Sequence, residues 1–200
     1  MGFGALRVLN EDAYAPGAAL PPHPRANMEL VEIVLSGTLA CAGAKGEQQL
    51  VAGGVYWTGA GHGVAHATRN PDPDRPARAL QAWLQPERLN ATPASAARQF
   101  DPEARRGRWT GLLSPDGADG AIAIRLQAWL RVTRLGADAK TKLALDPARR
   151  YWCQVTHGEV HVGGERLAAG DGLGLEQRAG ELVVQGIASC SDVLVFDLPG

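Results

Sequence analysis

Residues 36–57, SGTLACAGAKGEQQLVAGGVYW, and residues 156–175, THGEVHVGGERLAAGDGLGL, follow one plan. In each, a glycine opens a short apolar strand, a turn returns a second strand, and an Ala-Gly-Gly or Ala-Gly-Asp turn launches a third. Repetition within one chain signals repeated architecture. Gly163-Gly164 suits a two-residue hairpin turn, because glycine tolerates the positive φ that such turns require. The plan predicts an all-β chain built as two similar antiparallel β-barrels.

Working outward, short apolar or β-branched runs recur between Gly, Pro and polar punctuation at 30–35, 51–57, 79–84, 121–132, 151–155, 159–162, 181–185 and 193–198. Such spacing is that of a sandwich or barrel, and closing a barrel removes exposed sheet edges. Helix is expected only at Ala94–Gln99, with Thr92 as N-cap and Pro93 at the first helical position. The Pro-, Arg- and Ala-rich stretch 85–107 reads as a connection, which places a domain boundary near residue 100: residues 1–100 form an N-terminal barrel and 101–200 a C-terminal one. Arg105, Arg106 and Arg108 read as the solvated surface of that connection.

Composition narrows the function classes. The chain has 200 residues, 45% of them hydrophobic and 20% charged, values of a folded globular protein. The formal net charge of -1 comes from interspersed signs, which gives no reason to expect direct nucleic-acid binding. No apolar run approaches the ~20 residues of a membrane-crossing helix, and the start lacks a signal-peptide pattern, so a cytoplasmic protein is expected. Cys41, Cys153 and Cys190 are widely spaced and form no Cys-x-x-Cys pair; they read as buried thiols. Arginine outnumbers lysine 17 to 3, a bias without functional content.

The histidines fall in two groups. His157 and His161 share a strand face by parity, yet no carboxylate faces them, so core or surface histidines are the expectation. His62, between glycines, receives no role. His23 stands in HPRANMELVEIVLSG (23–37) and His66 in TGAGHGVAHA (58–67). Residues two apart on a strand point to one face, so ligands at that spacing can meet one ion inside a barrel. Trp57, Trp83, Trp129 and Trp152 fall in expected strands, where packing is the default use and lining a pocket the alternative. No Ser-His-Asp order, phosphate-cradling loop or dinucleotide fingerprint stands out.

These motifs, with GFGALRVLNED near the start, LQAWLQP (80–86), LLSPDG (112–117) and the closing VLVFDLPG, resemble the pirin family in order and spacing. The resemblance covers nearly the whole chain. It implies a bicupin of the cupin superfamily, its two antiparallel β-barrels of the double-stranded β-helix or jelly-roll type, with one iron-type metal in the N-terminal barrel. It further implies an activity like that of quercetin dioxygenases in several members and a role as nuclear transcription cofactor in animal members. The family's first motif, His-Pro-His-Arg-x-x-Glu, keeps His23 here but has Arg25 in place of the second histidine. The second, Gly-x-x-His-x-Glu, keeps His66 and has Thr68 for the glutamate. Arginine offers only donors and a fixed positive charge, and a threonine hydroxyl is a weak, neutral ligand.

Two readings of the pocket stay open. Glu29 occupies the place of the carboxylate ligand in the general cupin motif, so His23, Glu29 and His66 could hold an iron or other divalent ion as a two-histidine, one-carboxylate set. Such a centre would serve a quercetin 2,3-dioxygenase-type enzyme acting on a small molecule. In the other reading the pocket has no metal, and Arg25 and Thr68 line a site for a small ligand bearing a carboxylate or other oxyanion, or the barrel serves a protein partner.

Overall fold

A computed structural model describes residues 2–200. The chain divides into two compact units: the first runs to Phe100 and includes Ile122–Leu126, and the second comprises Asp101–Ala121 and Gln127–Gly200. Sixty-one per cent of residues are in strands (61%) and 2% helical.

The first unit contains β1 (Leu6–Tyr14), β2 (Ala19–Arg25), β3 (Glu29–Ser36), β4 (Thr38–Gly43), β5 (Gly46–Val51), β6 (Gly54–Gly59), β7 (Val64–Arg69), β8 (Ala77–Leu84) and β9 (Ala94–Gln99). These form a five-stranded sheet in the order β1-β8-β3-β6-β9 and a four-stranded sheet in the order β2-β7-β4-β5. Tyr14, Val34, Leu39, Cys41, Leu50, Tyr56 and Ala79 from both sheets form one buried apolar cluster. Two antiparallel sheets that bury their inner faces against each other make a jelly-roll sandwich.

The chain continues through β10 (Thr110–Ser114), the short β11 (Ile122–Ala123) that groups with the first unit, β12 (Trp129–Leu135), β13 (Lys140–Leu145), β14 (Arg149–His157), β15 (Glu159–Val162), β16 (Glu165–Ala168), β17 (Gly172–Glu176), β18 (Gly180–Gly186) and β19 (Ser191–Pro199). In the second unit β12, β19, β14 and β17 follow one another in one sheet, and β13-β18-β15-β16 form the other. This order is that of β1 to β8 repeated, each of those eight strands having its counterpart eleven strands later. Gly37 and Gly158, both at φ +72°, occupy the same tight step after β3 and β14. A Cβ there would meet Pro76 O at 2.6 Å or Cys190 O at 2.2 Å, so only glycine fits. At the predicted hairpin Val162 lies opposite Glu165, leaving Gly163-Gly164 as the turn, both at positive φ.

Several expectations fail. Ala94–Gln99 is strand β9, paired with β6 from Gly59↔Ala94 to Gly54↔Gln99. A six-residue segment is too short to hold a helix alone, while the free edge of β6 offers a ladder, so tertiary pairing overrides local propensity. Residues 85–107 are therefore not a plain connection. Arg105 is not solvated surface either: it is 8% exposed and donates to Asp192 at 3.1 Å, and burial lowers its pKa. The run 121–132 is split into β11 and β12, and the run 51–57 is broken by the Ala52-Gly53 turn. Cys41 and Cys153 are buried, but Cys190 is half-buried.

Candidate functional site

β2 and β7 pair antiparallel with His23 opposite His66 and Arg25 opposite Val64. His23 and Arg25 share one face of β2, and His66 and Thr68 one face of β7, by strand alternation. The two imidazoles meet edge to face with ring centroids 6.4 Å apart. A cavity of about 270 Å³ opens there, lined among others by Asp12, Tyr14, His23, Arg25, His66, Thr68 and Gln81. The sequence-derived residues His23, Arg25, His66 and Thr68 are thus brought together around one space.

Glu29 is not brought to it. β3 alternates like any strand, so Glu29 and Glu32, three positions apart, point to opposite faces. The Glu29 carboxylate, 2% exposed, accepts from Trp57 Nε1 at 2.6 Å and Arg125 N at 3.4 Å. Burial raises its pKa, and the Trp57 and Arg125 donors pull it part of the way back. The set His23, Glu29 and His66 is therefore not assembled, and among the described residues no group of three or more His, Cys, Asp or Glu side chains is placed to hold a metal ion.

Asp12 is the carboxylate in the lining, and the one that contacts His66 behind it is Glu32; neither was read from the sequence. Glu32 is 1% exposed; its Oε1 accepts from Gln81 Nε2 at 2.5 Å and lies 3.3 Å from His66 Nε2. Thr68 Oγ1 lies 3.4 Å from the same His66 nitrogen. Gln81 and Glu32 face each other across β8 and β3, and Gln81 Oε1 in turn accepts from Trp83 Nε1 at 2.7 Å. His66 donates to Glu32 Oε1 in the tautomer that carries the ring proton on Nε2. The strand signal was silent on Glu32 because both faces of β3 are buried, apart from its last two residues.

Arg25 turns toward the barrel, not outward. Its guanidinium carbon lies 4.4 Å from the centre of the Trp83 ring, a cation–π stack, and its Nε is buried without a hydrogen-bond partner. Asp12, also in the lining, has its pKa raised by burial. Asn70 Nδ2 donates to Tyr14 O, Ala15 O and Arg75 O, tying the end of β7 to β1. The remaining histidines stay apart from the site. His157 and His161 lie on different strands, β14 and β15, with Gly158 between them, and both are exposed; the shared-face expectation fails at that turn. Of the tryptophans, Trp83 borders the site through Arg25 and Gln81, whereas Trp57 holds Glu29 on the other face of the sheet.

The family-specific metal therefore does not fit these residues. Two of the four motif positions hold Arg25 and Thr68, the retained His66 is engaged by Glu32, and a fixed guanidinium stands where a cation would need a donor.

Comparison with known proteins places this geometry in context. Residues 2–84 match the family model described as Pirin, and residues 111–198 that described as Quercetinase C-terminal cupin domain. The chain is 34% identical over 201 residues to a quercetin 2,3-dioxygenase of Escherichia coli K12, covering 100% of this chain and 84% of that protein. It is 35% identical over 182 residues to a pirin-like protein of Caulobacter vibrioides, covering 90% and 78%. The crystal structure of the bacterial pirin YhhW from E. coli in complex with nickel(II) superposes with a TM-score of 0.92 at 31% identity, covering 100% of this chain and 84% of that one.

Proposed function

Because the chain belongs to the pirin family of the cupin superfamily, we propose that its first unit is a small-molecule binding site that works without a resident metal. The observation that carries this reading is the stack of Arg25 on Trp83 at the position of a family ligand. A cation fixed in the lining repels a second one, and removing the Thr68-position carboxylate deprives an ion of charge. Glu32 does not make up the loss: its Oε1 accepts from Gln81 and contacts His66, and although its Oε2 has no partner, no group of three or more His, Cys, Asp or Glu side chains among the described residues is placed to hold an ion. What remains is a concave, partly polar pocket of the kind that holds a small ligand.

A second reading, a metal-dependent dioxygenase acting on a small molecule, draws support from His23 standing directly opposite His66 and from relatives named quercetin 2,3-dioxygenase. The two differ in metal uptake. Equilibrium dialysis against nickel(II) should give far less than one ion per wild-type chain, and the paired substitution Arg25→His with Thr68→Glu should raise uptake towards one. Uptake near one ion by the wild type would sink the metal-free reading.

A further inference from the structure

The metal-free reading says that something binds, but not what. Three lining residues keep a buried polar atom without a partner, Arg25 Nε, His66 Nδ1 and the Tyr14 hydroxyl; a hydroxyl can donate or accept, so the first two carry the information. A buried polar group left unpaired costs desolvation without return, so a ligand that completes both is favoured over one that completes neither.

The two atoms ask for opposite things. Arg25 can only donate, carries a permanent charge, and has no carboxylate partner among the described residues; the Trp83 ring covers one face of the guanidinium and leaves its edge for an acceptor. His66 is the reverse case. In the tautomer that donates to Glu32 Oε1 the proton sits on Nε2, which leaves Nδ1 as an acceptor. Asp12, in the same lining, is a second acceptor. The lining thus carries one fixed donor, two acceptors and, in Tyr14, a hydroxyl that can be either, around a space of about 270 Å³.

We propose, on the basis of the metal-free reading, that the pocket takes a small carboxylic acid bearing a hydrogen-bond donor next to the carboxylate, a hydroxyl or an ammonium group. The carboxylate accepts from Arg25, and the hydroxyl or ammonium donates to His66 Nδ1 or Asp12. No bond is made or broken. A neutral ligand leaves Arg25 unpaired, and a simple carboxylate leaves the acceptors unpaired. A simple amine would place its charge beside the guanidinium.

Matched compounds separate these cases by calorimetry on the full chain. On a three-carbon scaffold they are lactate, alanine, propionate and methyl lactate; on an aromatic scaffold, mandelate, phenylglycine, phenylacetate and methyl mandelate. The hydroxy or amino acid of at least one scaffold should bind at least about tenfold more tightly than both its deoxy partner and its ester. Binding of lactate or mandelate above the amino acids identifies the hydroxyl as the donor, and the reverse order identifies the ammonium. Arg25→Gln should abolish the preference for acid over ester. Equal binding of acid, deoxy acid and ester, or no binding of any acid at millimolar concentration, would overturn the proposal. If the wild type also takes up no nickel, the metal-free reading survives that failure; stoichiometric nickel uptake would remove both.

Discussion

The two units share a strand order, and their pairing registers allow them to be compared position by position. Glu32 and Cys153 each stand five residues before the equivalent glycines Gly37 and Gly158. From there the ladders extend the correspondence: Gln81, opposite Glu32, matches Val195, opposite Cys153. Thr68, opposite Cys41, matches Val184, opposite Val162. His66 then matches Leu182, His23 matches Leu143 and Arg25 matches Leu145. His23, Arg25, Glu32, His66, Thr68 and Gln81 are all matched by apolar residues in the second unit, where Cys153, Val162, Leu182, Val184 and Val195 form a buried cluster and Leu143 and Leu145 pack against it; Asp12 alone of the mapped polar residues meets another polar one, the buried Thr133. One fold is thus used twice, once filled with a core and once opened around polar side chains. The difference lies in side chains alone, as expected when function is grafted on a fold.

Moving a first-unit residue into the second should have the largest effect. Leu182→His would bury an imidazole with Val184 and Cys153 nearby and no carboxylate, and should destabilise by about 3 kcal/mol or more in urea unfolding. A cost under about 1 kcal/mol would show that the second interior is wetter than its apolar lining implies. The reverse transfer, Glu32→Cys with Thr68→Val and His66→Leu, removes the three buried polar side chains together and leaves the half-buried Gln81 in the cavity lining. It should be neutral or stabilising by about 1–4 kcal/mol while abolishing ligand binding. His66→Leu alone, which takes away one partner of Glu32, should destabilise by about 1–3 kcal/mol. If the triple variant is no more stable than the single one, the cluster is not an alternative to a core.

Arg25→Leu is a smaller change, because the residue is only half-buried and makes no ion pair among the described residues. Stability should move by about 1 kcal/mol or less, the size of a cation–π stack, even as acid binding is lost. The smallest effect concerns acid. Asp72 accepts from the backbone N–H of Asp74 and Arg75 at 2.9 and 3.0 Å, and these bonds hold its pKa below the ordinary 3.8. The folded carboxyl is the stronger acid, so its contribution is present above about pH 3.8 and fades as pH falls through the folded value. Asp72→Asn keeps an acceptor but does not titrate; the wild type's advantage over it should be constant near neutrality and shrink below pH 3.8. An advantage that grows in acid would reverse the sign.

Much of this comparison was legible in the sequence. The repeat of 36–57 in 156–175 marked strands, hairpins and the doubling itself, because turn glycines and period-2 alternation are local signals. His23 with Arg25, and His66 with Thr68, were readable as same-face pairs for the same reason. Glu32 was not, since Leu30, Val31, Ile33 and Val34 bury both faces of β3 and leave no alternation to say which glutamate points inward. Glu29 was chosen by motif position, and parity from Glu32 places it on the other face, where Trp57 holds it. Strand β9 was missed because Ala-rich residues 94–99 carry no strand propensity of their own; the edge of β6 supplies the ladder. Arg105 was read as surface because its partner Asp192 lies far along the chain.

The central claim is that the open interior of the first unit binds a small molecule without a resident metal. Its most direct test is plasma mass spectrometry on protein purified without chelator and then loaded with iron(II), alongside a His66→Ala control. Metal far below one ion per chain in both samples is the expected result. Near one ion per chain in the wild type, lost in His66→Ala, would contradict it and return the first unit to metal chemistry.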